Sequence, residues 1–472
     1  MNICTSFLSQ SHQASIISQI KNTVDLPFKQ MLPAGEIQQH LSRPKERERV
    51  FTPTVTLWTF LSQVLDDDQS QQAAVARVIA AKLVQRENPP SANTAAYSQA
   101  RSRLPENGLR TIAQTHAKNI ASIAPQGWLW KNKYPVKLVD GSTLTMPDTQ
   151  ENQADYPQMK SQKVGVGFPI MRIVALIDYT TGVLLDVAMG AYRGKKTGEH
   201  ALLRQLMPSI KAGDVMLGDC YYPSFFLMAS LILSGMHGVF PAHFARKSDF
   251  RRGKRLGKKD HLVSWKRPIK PSWMTQDEYD AFPETITVRE LAVEVKQPGF
   301  RTKIRVLVTT FLKSDEVNKF DLANLYGLRW FVELTLRSIK ETMHMDILRG
   351  KTPSMVRKEI WVHMLAYNII RKIIAHAAWL HERPPTTISF KLALQNIRAF
   401  LQAGLLNTGD PIVYQHLFKA ITHKKVANRP GREEPRGVLW NKCQKRSFQK
   451  ITANYCVFYP LNVLKNVNNS EF

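Results

Sequence analysis

The pattern that most constrains this chain begins near residue 131, where apolar runs of strand length replace helical periodicity. PVKLVDGSTLTM, FPIMRIVALIDY and GVLLDVAMG read as three strands, the last two joined by a hairpin turn at Thr180–Gly182. EHALLRQLMPSI then reads as a helix, VMLGD as a short strand, SFFLMASLILSG as a helix and MHGVFPA as a strand. This β-β-β-α-β-α-β order predicts an α/β fold, a mixed sheet with helices on its faces. Further on, TITVRELAVEV and KIRVLVTT alternate with period two, as strands do. Two long helices are predicted after them, one over about 318–343 and a largely apolar one over 357–380. Upstream, helical segments flank an acidic break at Asp66–Asp68, and Pro89 and Pro90 end the second of them. Ser91 or Asn93 can cap a third helix, AAYSQARSRLP.

Composition bears on partners. Lys and Arg number 65 against 38 Asp and Glu, a formal charge of +27. An excess this large costs self-repulsion and favours a polyanion, of which nucleic acid is the usual one. The charge is uneven: residues 1–130 net only +4, residues 243–274 net +9, and residues 400–472 net +7. The middle stretch interleaves Trp265 and Trp273 with its cations, which fits phosphate contact plus base stacking better than a solvated face. The helix pair around residue 90 resembles a helix-turn-helix whose second member carries Tyr97, Gln99, Arg101 and Arg103. Arg101 and Arg103 are therefore candidate DNA contacts, with plain helix packing as the competing reading.

Other classes fall away. Hydrophobic residues make up 43% of the chain, which excludes wholesale disorder. The longest apolar stretch, Phe225–Leu233, is far too short to span a membrane. MNICTSFLSQS lacks a basic region followed by an apolar one, so no secretory signal is read. Cys4, Cys220, Cys443 and Cys456 are too scattered for a disulfide framework or a zinc site. The expectation is a soluble, cytoplasmic protein of roughly two to four domains.

Three carboxylates stand out. Asp140 and Asp219 are read at strand ends, where the rim of a sheet leaves room for a ligand. Asp178 is better explained by its hairpin turn, and Asp214 by the start of a strand. Glu333 lies on the first long helix. Two strand-end carboxylates and a third from a helix could hold a pair of hard divalent cations, for which all-oxygen ligands suit Mg²⁺. On a helical wheel, Tyr326, Arg329, Glu333 and Lys340 fall within a stripe about 60° wide, with Arg337 at its edge. One face thus presents a carboxylate flanked by cations and a phenol. The same residues would also make a solvated face with an Arg329–Glu333 ion pair. His200, His237 and His344 are read as packing or surface groups.

The spacing Tyr326-x₂-Arg329-x₃-Glu333-x₆-Lys340 resembles the signature of the IS-four family of bacterial insertion-sequence DDE transposases, the transposon-five-like enzymes. LVDGSTLTMPD resembles that family's first-aspartate segment and LGDCYYPSFF its second, over roughly residues 130–370. SANTAAYSQARSRLP is similar to the segment preceding the catalytic domain in relatives. The resemblance implies a ribonuclease-H-like (RNase-H-like) mixed-sheet core with an inserted β-rich domain, flanked by helical N- and C-terminal regions. It divides the chain into a helical DNA-binding region (1–130), the first part of the core (131–242), a basic insertion (243–312), the Glu-bearing helix with the helix after it (313–380), and a basic C-terminal region that could dimerise (381–472). It implies two Mg²⁺ ions, replaceable by Mn²⁺, on Asp140, Asp219 and Glu333. It implies DNA phosphates on Tyr326, Arg329 and Lys340, with Arg337 beside them, and a flipped base on Trp265 or Trp273. The partners it implies are double-stranded DNA, as terminal inverted repeats and target, and a second copy of the chain in a synaptic complex. The implied reaction is metal-dependent strand cleavage and strand transfer; a nuclease without strand transfer and an idle DNA-binding protein are the alternatives. One departure is that relatives often carry Gly two residues after the second aspartate, where this chain has Tyr221.

Overall fold

The computed structural model describes residues 32–42, 50–163, 165–195, 197–295, 303–403, 405 and 410–423. The expected C-terminal dimerisation region beyond His423 lies outside them, as do Cys4, Cys443 and Cys456.

Among the described residues the first elements are the helices α1 (Ala34–Leu41), α2 (Pro53–Leu65), α3 (Gln71–Val84), α4 (Ala95–Arg103) and α5 (Glu106–Ser122). Thr52 caps α2 by accepting the Val55 N–H at 3.3 Å, with Pro53 in the first turn. The acidic break is a chain of local bonds. Asp66 accepts the Asp68 N–H, Asp68 accepts the Ser70 N–H, and Ser70 caps α3 through Ala73. α4 differs from the expected DNA-facing helix. Tyr97 is buried and donates to Gln63 Oε1 at 2.8 Å. Arg101 lays its guanidinium over the rings of Phe60 and Tyr97, 4.9 and 5.1 Å away. Both side chains turn inward because Gln63, on α2, offers a buried acceptor that they share. Gln99 is exposed and Arg103 half-buried.

The sheet begins with β1 (Val136–Thr145), followed by α6 (Gln150–Asp155), β2 (Ile170–Asp178), β3 (Leu184–Ala191), α7 (Glu199–Leu206), β4 (Val215–Leu217), α8 (Phe225–Leu233) and β5 (His237–Pro241). β6 (Lys254–Gly257), β7 (Asp260–Lys266), α9 (Gln276–Asp280), β8 (Thr285–Val295) and β9 (Lys303–Thr309) follow. The order across the sheet is β3-β2-β1-β4-β5-β9-β8-β7-β6. β1, β4 and β5 run parallel, while β1–β2, β2–β3 and β5–β9 are antiparallel. The architecture is therefore mixed α/β, as read. Strands β6–β9 fall within 243–312, and β9 pairs back on β5, so they continue the same sheet. Inside it the basic run forms the hairpin β6–β7, which its charge had hidden.

The remaining elements are α10 (Lys319–Gly327), α11 (Trp330–Arg337), a π-helical turn over Ser338–Thr342, α12 (Pro353–Leu380), α13 (Phe390–Gln402) and α14 (Pro411–His423). The single helix expected over 318–343 is thus three pieces. After Leu325 the chain tightens: Leu328, Arg329, Phe331 and Val332 each donate to the carbonyl three residues back. It then widens, with Met343 donating to Ser338 at 3.1 Å.

α12 is 28 residues long and buried on nearly every side. It clamps the β2–β3 turn. Asn368 exchanges two hydrogen bonds of 2.8 Å with the Leu184 backbone, and the Tyr367 hydroxyl donates to the Gly182 carbonyl. Asp178 accepts Thr181 through both its N–H and its hydroxyl, the turn role read for it. Gly182 has φ +75°, and a Cβ there would lie 1.4 Å from Nη2 of Arg371. Left-handed backbone costs a β-carbon about 1–2 kcal/mol, before Arg371 is displaced. Gly182→Ala should lower the urea midpoint by at least about 2 kcal/mol of unfolding free energy. A change under about 0.5 kcal/mol would show that the turn and Arg371 adapt freely.

Candidate active site

Asp140 is not at the end of its strand. β1 runs on to Thr145, and Asp140 pairs with Ala175 of β2. Its other side is the informative one. β1 pairs with β4 only through Val136↔Val215, Lys137↔Met216 and Leu138↔Leu217. Two residues past the last pair come Asp140 on one chain and Asp219 on the other. In a parallel register the two are level and, by period two, on the same face. β4 ends at Leu217, so the β4 side of Asp140 is free of a ladder partner. That is the rim position the sequence suggested, reached through the neighbour's end. Asp219 folds its own turn, accepting the Tyr221 N–H at 2.8 Å. Neither Cys220 nor Tyr221 has a positive φ, so the turn does not need the glycine that relatives often carry.

The helical segment is tied to β1 at three levels. Arg329 lies 3.9 Å from Asp140, Lys340 donates to the Ser142 hydroxyl at 3.3 Å, and the Thr145 N–H donates to Asp346 at 3.1 Å. Arg329 also binds Glu333 at 2.6 Å and hydrogen-bonds Tyr326. It therefore bridges two of the three expected acids. Among the described residues, no three His, Cys, Asp or Glu side chains stand together closely enough to hold a metal ion. The anticipated Arg329–Glu333 pair exists, with the Arg329 side chain 19% and the Glu333 side chain 41% exposed.

Burial dominates the electrostatics. The Asp140 carboxyl is pushed up to about 6, first by desolvation and then by the nearby charges of Asp219 and Glu199, with Arg329 and the Gly141 N–H opposing. Burial likewise raises Tyr326, which Arg329 partly offsets. Tyr222 is raised by burial and by Glu199, Asp140 and Asp219 together. Glu199 was not read from the sequence. It sits in the first turn of α7, its carboxylate would touch a Cβ on Gly141 at 2.6 Å, and it accepts from the Tyr222 hydroxyl at 3.4 Å. Its only local signal is an acid at a helix start, which a helix dipole explains equally well. Asp219 and Glu199 thus act on Asp140 through their charges, while Arg329 stands 3.9 Å from it.

Residues 131–369 match the family described as "Transposase DDE domain". That is just over half of the chain and includes all three expected acids. The chain belongs to the IS4 family of DDE transposases. The transposase InsG for insertion sequence element IS4 of Escherichia coli K12 is 26% identical over 355 residues, covering 73% of this chain and 75% of its own. The putative transposase InsL of element IS186A, from the same strain, is 38% identical over 69 residues, 15% of this chain and 19% of its own. The piggyBac transposase in its synaptic complex with hairpin DNA aligns with a TM-score of 0.40 and 12% identity over 89% of this chain and 84% of its own.

The transposase is accordingly an enzyme acting on DNA. Its other expected residues are scattered. Trp265 is 3% exposed, donates to Glu290 at 3.0 Å and lies under the Arg246 guanidinium, so it is closed to a base. Trp273 is 38% exposed and carries Arg204 on its face at 3.8 Å. Arg337 is exposed and faces Glu341 at 3.9 Å. Both arginines read on α4 are half-buried, but Arg101 is held by Gln63 and by the rings of Phe60 and Tyr97. His237 stacks on Phe311, the packing role read for it, whereas His200 sits beside the carboxylates with Nε2 2.6 Å from the Tyr221 carbonyl. No helix among the described residues is long and apolar enough to cross a membrane.

The raised Asp140 has a consequence for stability. Its folded value of about 6 lies above the ordinary 3.8, so ionising it disfavours the fold. The penalty is absent below about pH 4, grows as pH rises, and is complete above about 6. Without divalent cation, Asp140→Asn should melt several degrees above wild type at pH 8 and within about a degree of it at pH 4. An equal offset at both values would show that Asp140 does not titrate in this window.

Proposed function

We propose that the transposase cleaves the ends of a mobile element and joins them to target DNA by metal-dependent phosphoryl transfer, on an RNase-H-like core whose ligands are Asp140, Asp219 and Glu333. The observation that carries this is the β1–β4 register, which sets Asp140 level with Asp219, together with the links from β1 to the Glu333-bearing segment. The chemistry of the donor set suits divalent cations, although Arg329 stands between Asp140 and Glu333 and the three acids are not gathered in this arrangement. The set consists of hard carboxylate oxygens, and burial leaves Asp140 under-compensated by Arg329 alone. Bound Mg²⁺, or Mn²⁺ in its place, would activate a water or 3′-hydroxyl and stabilise the leaving oxygen of the phosphodiester.

The chain's own residues do the remaining work. Arg329 neutralises Glu333 and Asp140 in the absence of DNA and turns to a phosphate when DNA arrives, its bidentate fork suiting either partner. Lys340, tethered to Ser142, and the Tyr326 hydroxyl hold phosphates beside the cleaved bond. Arg337 extends that contact along the helix. Trp273, the accessible tryptophan, stacks on an unpaired base. Residues 131–242 and 313–380 form the catalytic core, 243–312 a DNA-gripping insertion, 1–130 a helical region entering DNA through Arg103 rather than Arg101, and 381–472 a dimerisation region of a synaptic pair. The exposed cations Arg251, Arg252, Lys254, Arg255, Lys258 and Lys259 on and around the β6–β7 hairpin support the insertion's role.

Single variants Asp140→Ala, Asp219→Ala and Glu333→Ala should lose Mg²⁺-dependent nicking of end DNA by at least about 10³-fold while still shifting that DNA in a gel. Wild-type nicking by any one of them removes that residue from the ligand set, and strand transfer of precut ends separates a transposase cycle from simple nuclease action. Replacing Lys254, Arg255, Lys258 and Lys259 with Gln should weaken DNA binding and reduce the slope of log K against log salt by about 3–4. An unchanged slope would mean that the hairpin faces solvent in the complex.

A further inference from the structure

The run Asp219-Cys220-Tyr221-Tyr222, where relatives often carry a glycine at the third place, sends its two tyrosines in opposite directions. Tyr222 is buried and donates to Glu199, whereas Tyr221 is 58% exposed. The Tyr221 backbone is pinned on both sides. Its N–H donates to Asp219 Oδ1 at 2.8 Å, and its carbonyl accepts from His200 Nε2 at 2.6 Å. The ring is thus held out in solvent on a fixed backbone, an ordering that burial does not repay.

The neighbouring strand brings further rings to it. β5 runs parallel to β4 with Val239 opposite Leu217, so both strands end at one rim, and the segment after Pro241 emerges beside the turn after Asp219. His243 and Phe244 lie there. Phe244 is 74% exposed, with its ring centre 6.1 Å from that of Tyr221. The His243 ring is 6.0 Å from Tyr221 and 4.1 Å from Phe244. This segment is fastened as well. The Ala242 N–H donates to the Val306 carbonyl at 2.8 Å, the Ala245 N–H to His243 Nδ1 at 3.2 Å, and the Arg246 N–H to the His243 carbonyl at 2.8 Å. Two exposed cations, Arg246 and Lys247, come next in the chain. A single exposed ring is ordinary on a protein surface. Three rings in contact, two of them mostly in solvent, beside cations and two residues from a candidate ligand acid, mark a binding surface.

The chemistry that fits this surface is a nucleobase. Stacking uses the flat face that every base has, and cations alongside hold the backbone phosphates. Bases inside a duplex cover one another's faces, so the base that meets these rings is an unpaired one. Contact between two copies of the chain would put apolar residues at the centre and exclude charge from it, whereas Arg246 and Lys247 adjoin the rings directly. Trp273 belongs to a different group of rings, 6.1 Å from Phe226 of α8.

We propose that Tyr221, His243 and Phe244 form a stacking platform for an unpaired base next to the scissile phosphate, with Tyr221 as its central ring. The inference rests on the reading of Asp219 as a ligand acid at the cleaved bond. Binding should be measured in the full chain carrying Asp140→Ala, so that no cleavage intervenes. The probe is duplex end DNA with one mismatched base, or one abasic site, placed in turn within about two nucleotides of the scissile phosphate on either side. At one of these places the mismatched base should bind at least about tenfold tighter than the abasic site. That advantage should fall below about twofold when Tyr221→Leu or Phe244→Leu is added, while Tyr221→Phe keeps it. The slope of log K against log salt should be the same in all of them, because no charge is removed. An equal advantage in the parent and both Leu variants, or no advantage in the parent at any place, overturns the platform although DNA is bound. A fall in Tyr221→Leu that accompanies dissociation of the DNA-free chain into monomers assigns the rings to contact between copies and overturns it too. Failure of the parent to bind end DNA at all would overturn the functional reading along with the platform.

Discussion

Three residue pairs between β1 and β4 carry the geometry of this enzyme. The parallel ladder from Val136 to Leu138 is only three pairs long, yet it decides which residues of the two strands lie level beyond it. A slip of one residue would turn Asp219 to the opposite face from Asp140. Burial holds the register. Val136, Leu138, Val215, Met216 and Leu217 are all at or below 1% exposure. Lys137 is fastened as well, its ammonium 2.8 Å from Asp178 on β2 and 3.8 Å from Asp214 beside β4. Removing one member of such a buried set leaves the others without compensation, at about 3–5 kcal/mol, so the lysine acts as a register pin across three strands.

β1 then serves as a ruler for a segment almost two hundred residues later. Asp140, Ser142 and Thr145 engage Arg329, Lys340 and Asp346 in the same order along the chain. An ideal helix would not follow a strand over that distance, because rise and rotation per residue differ between the two. The tightened turn near Leu328 and the widened one after Arg337 adjust the winding where the contacts are made. Glu359 fixes the exit: wholly enclosed, it accepts the N–H groups of Arg349 and Gly350, and burial pushes its carboxyl up to about 7.

Much of this was legible because it rests on local chemistry. Apolar runs of strand length identified β1, β2 and β3, period-two alternation identified β8 and β9, and the Asp178 turn follows from a side chain bonding its own backbone. The rest depends on partners distant in sequence. Trp265 and Trp273 look alike in the sequence, and only the Glu290 carboxylate across β7–β8 draws the first inside. Arg101 looks like a DNA contact until Gln63 on another helix takes it. Glu199 looks like an ordinary helix-start acid until β1 brings Gly141 against it, where the lack of a side chain leaves room for the carboxylate. β6 and β7 were hidden because their exposed faces bear charge.

The positive charge resolves into three physical environments, which composition alone cannot distinguish. On the β6–β7 hairpin the cations are solvated and mobile in role, suited to phosphates that come and go. At the carboxylates, Arg329 is half way between solvent and core and has two acids and a phenol to choose among, so its partner can change with what is bound. In the core, charge is tolerated only where it is answered: Lys137 by two aspartates, and Arg289 by a two-pronged pair with Asp260 at 2.8 and 2.6 Å and by the Val317 carbonyl. Arg371 is buried as deeply as either, and among the described residues its Nε and Nη2 have no hydrogen-bond partner, only the Phe331 ring 5.3 Å away and the more distant charge of Asp178. A charge held in that way costs the fold several kcal/mol that the packing of α12 against the β2–β3 turn must offset.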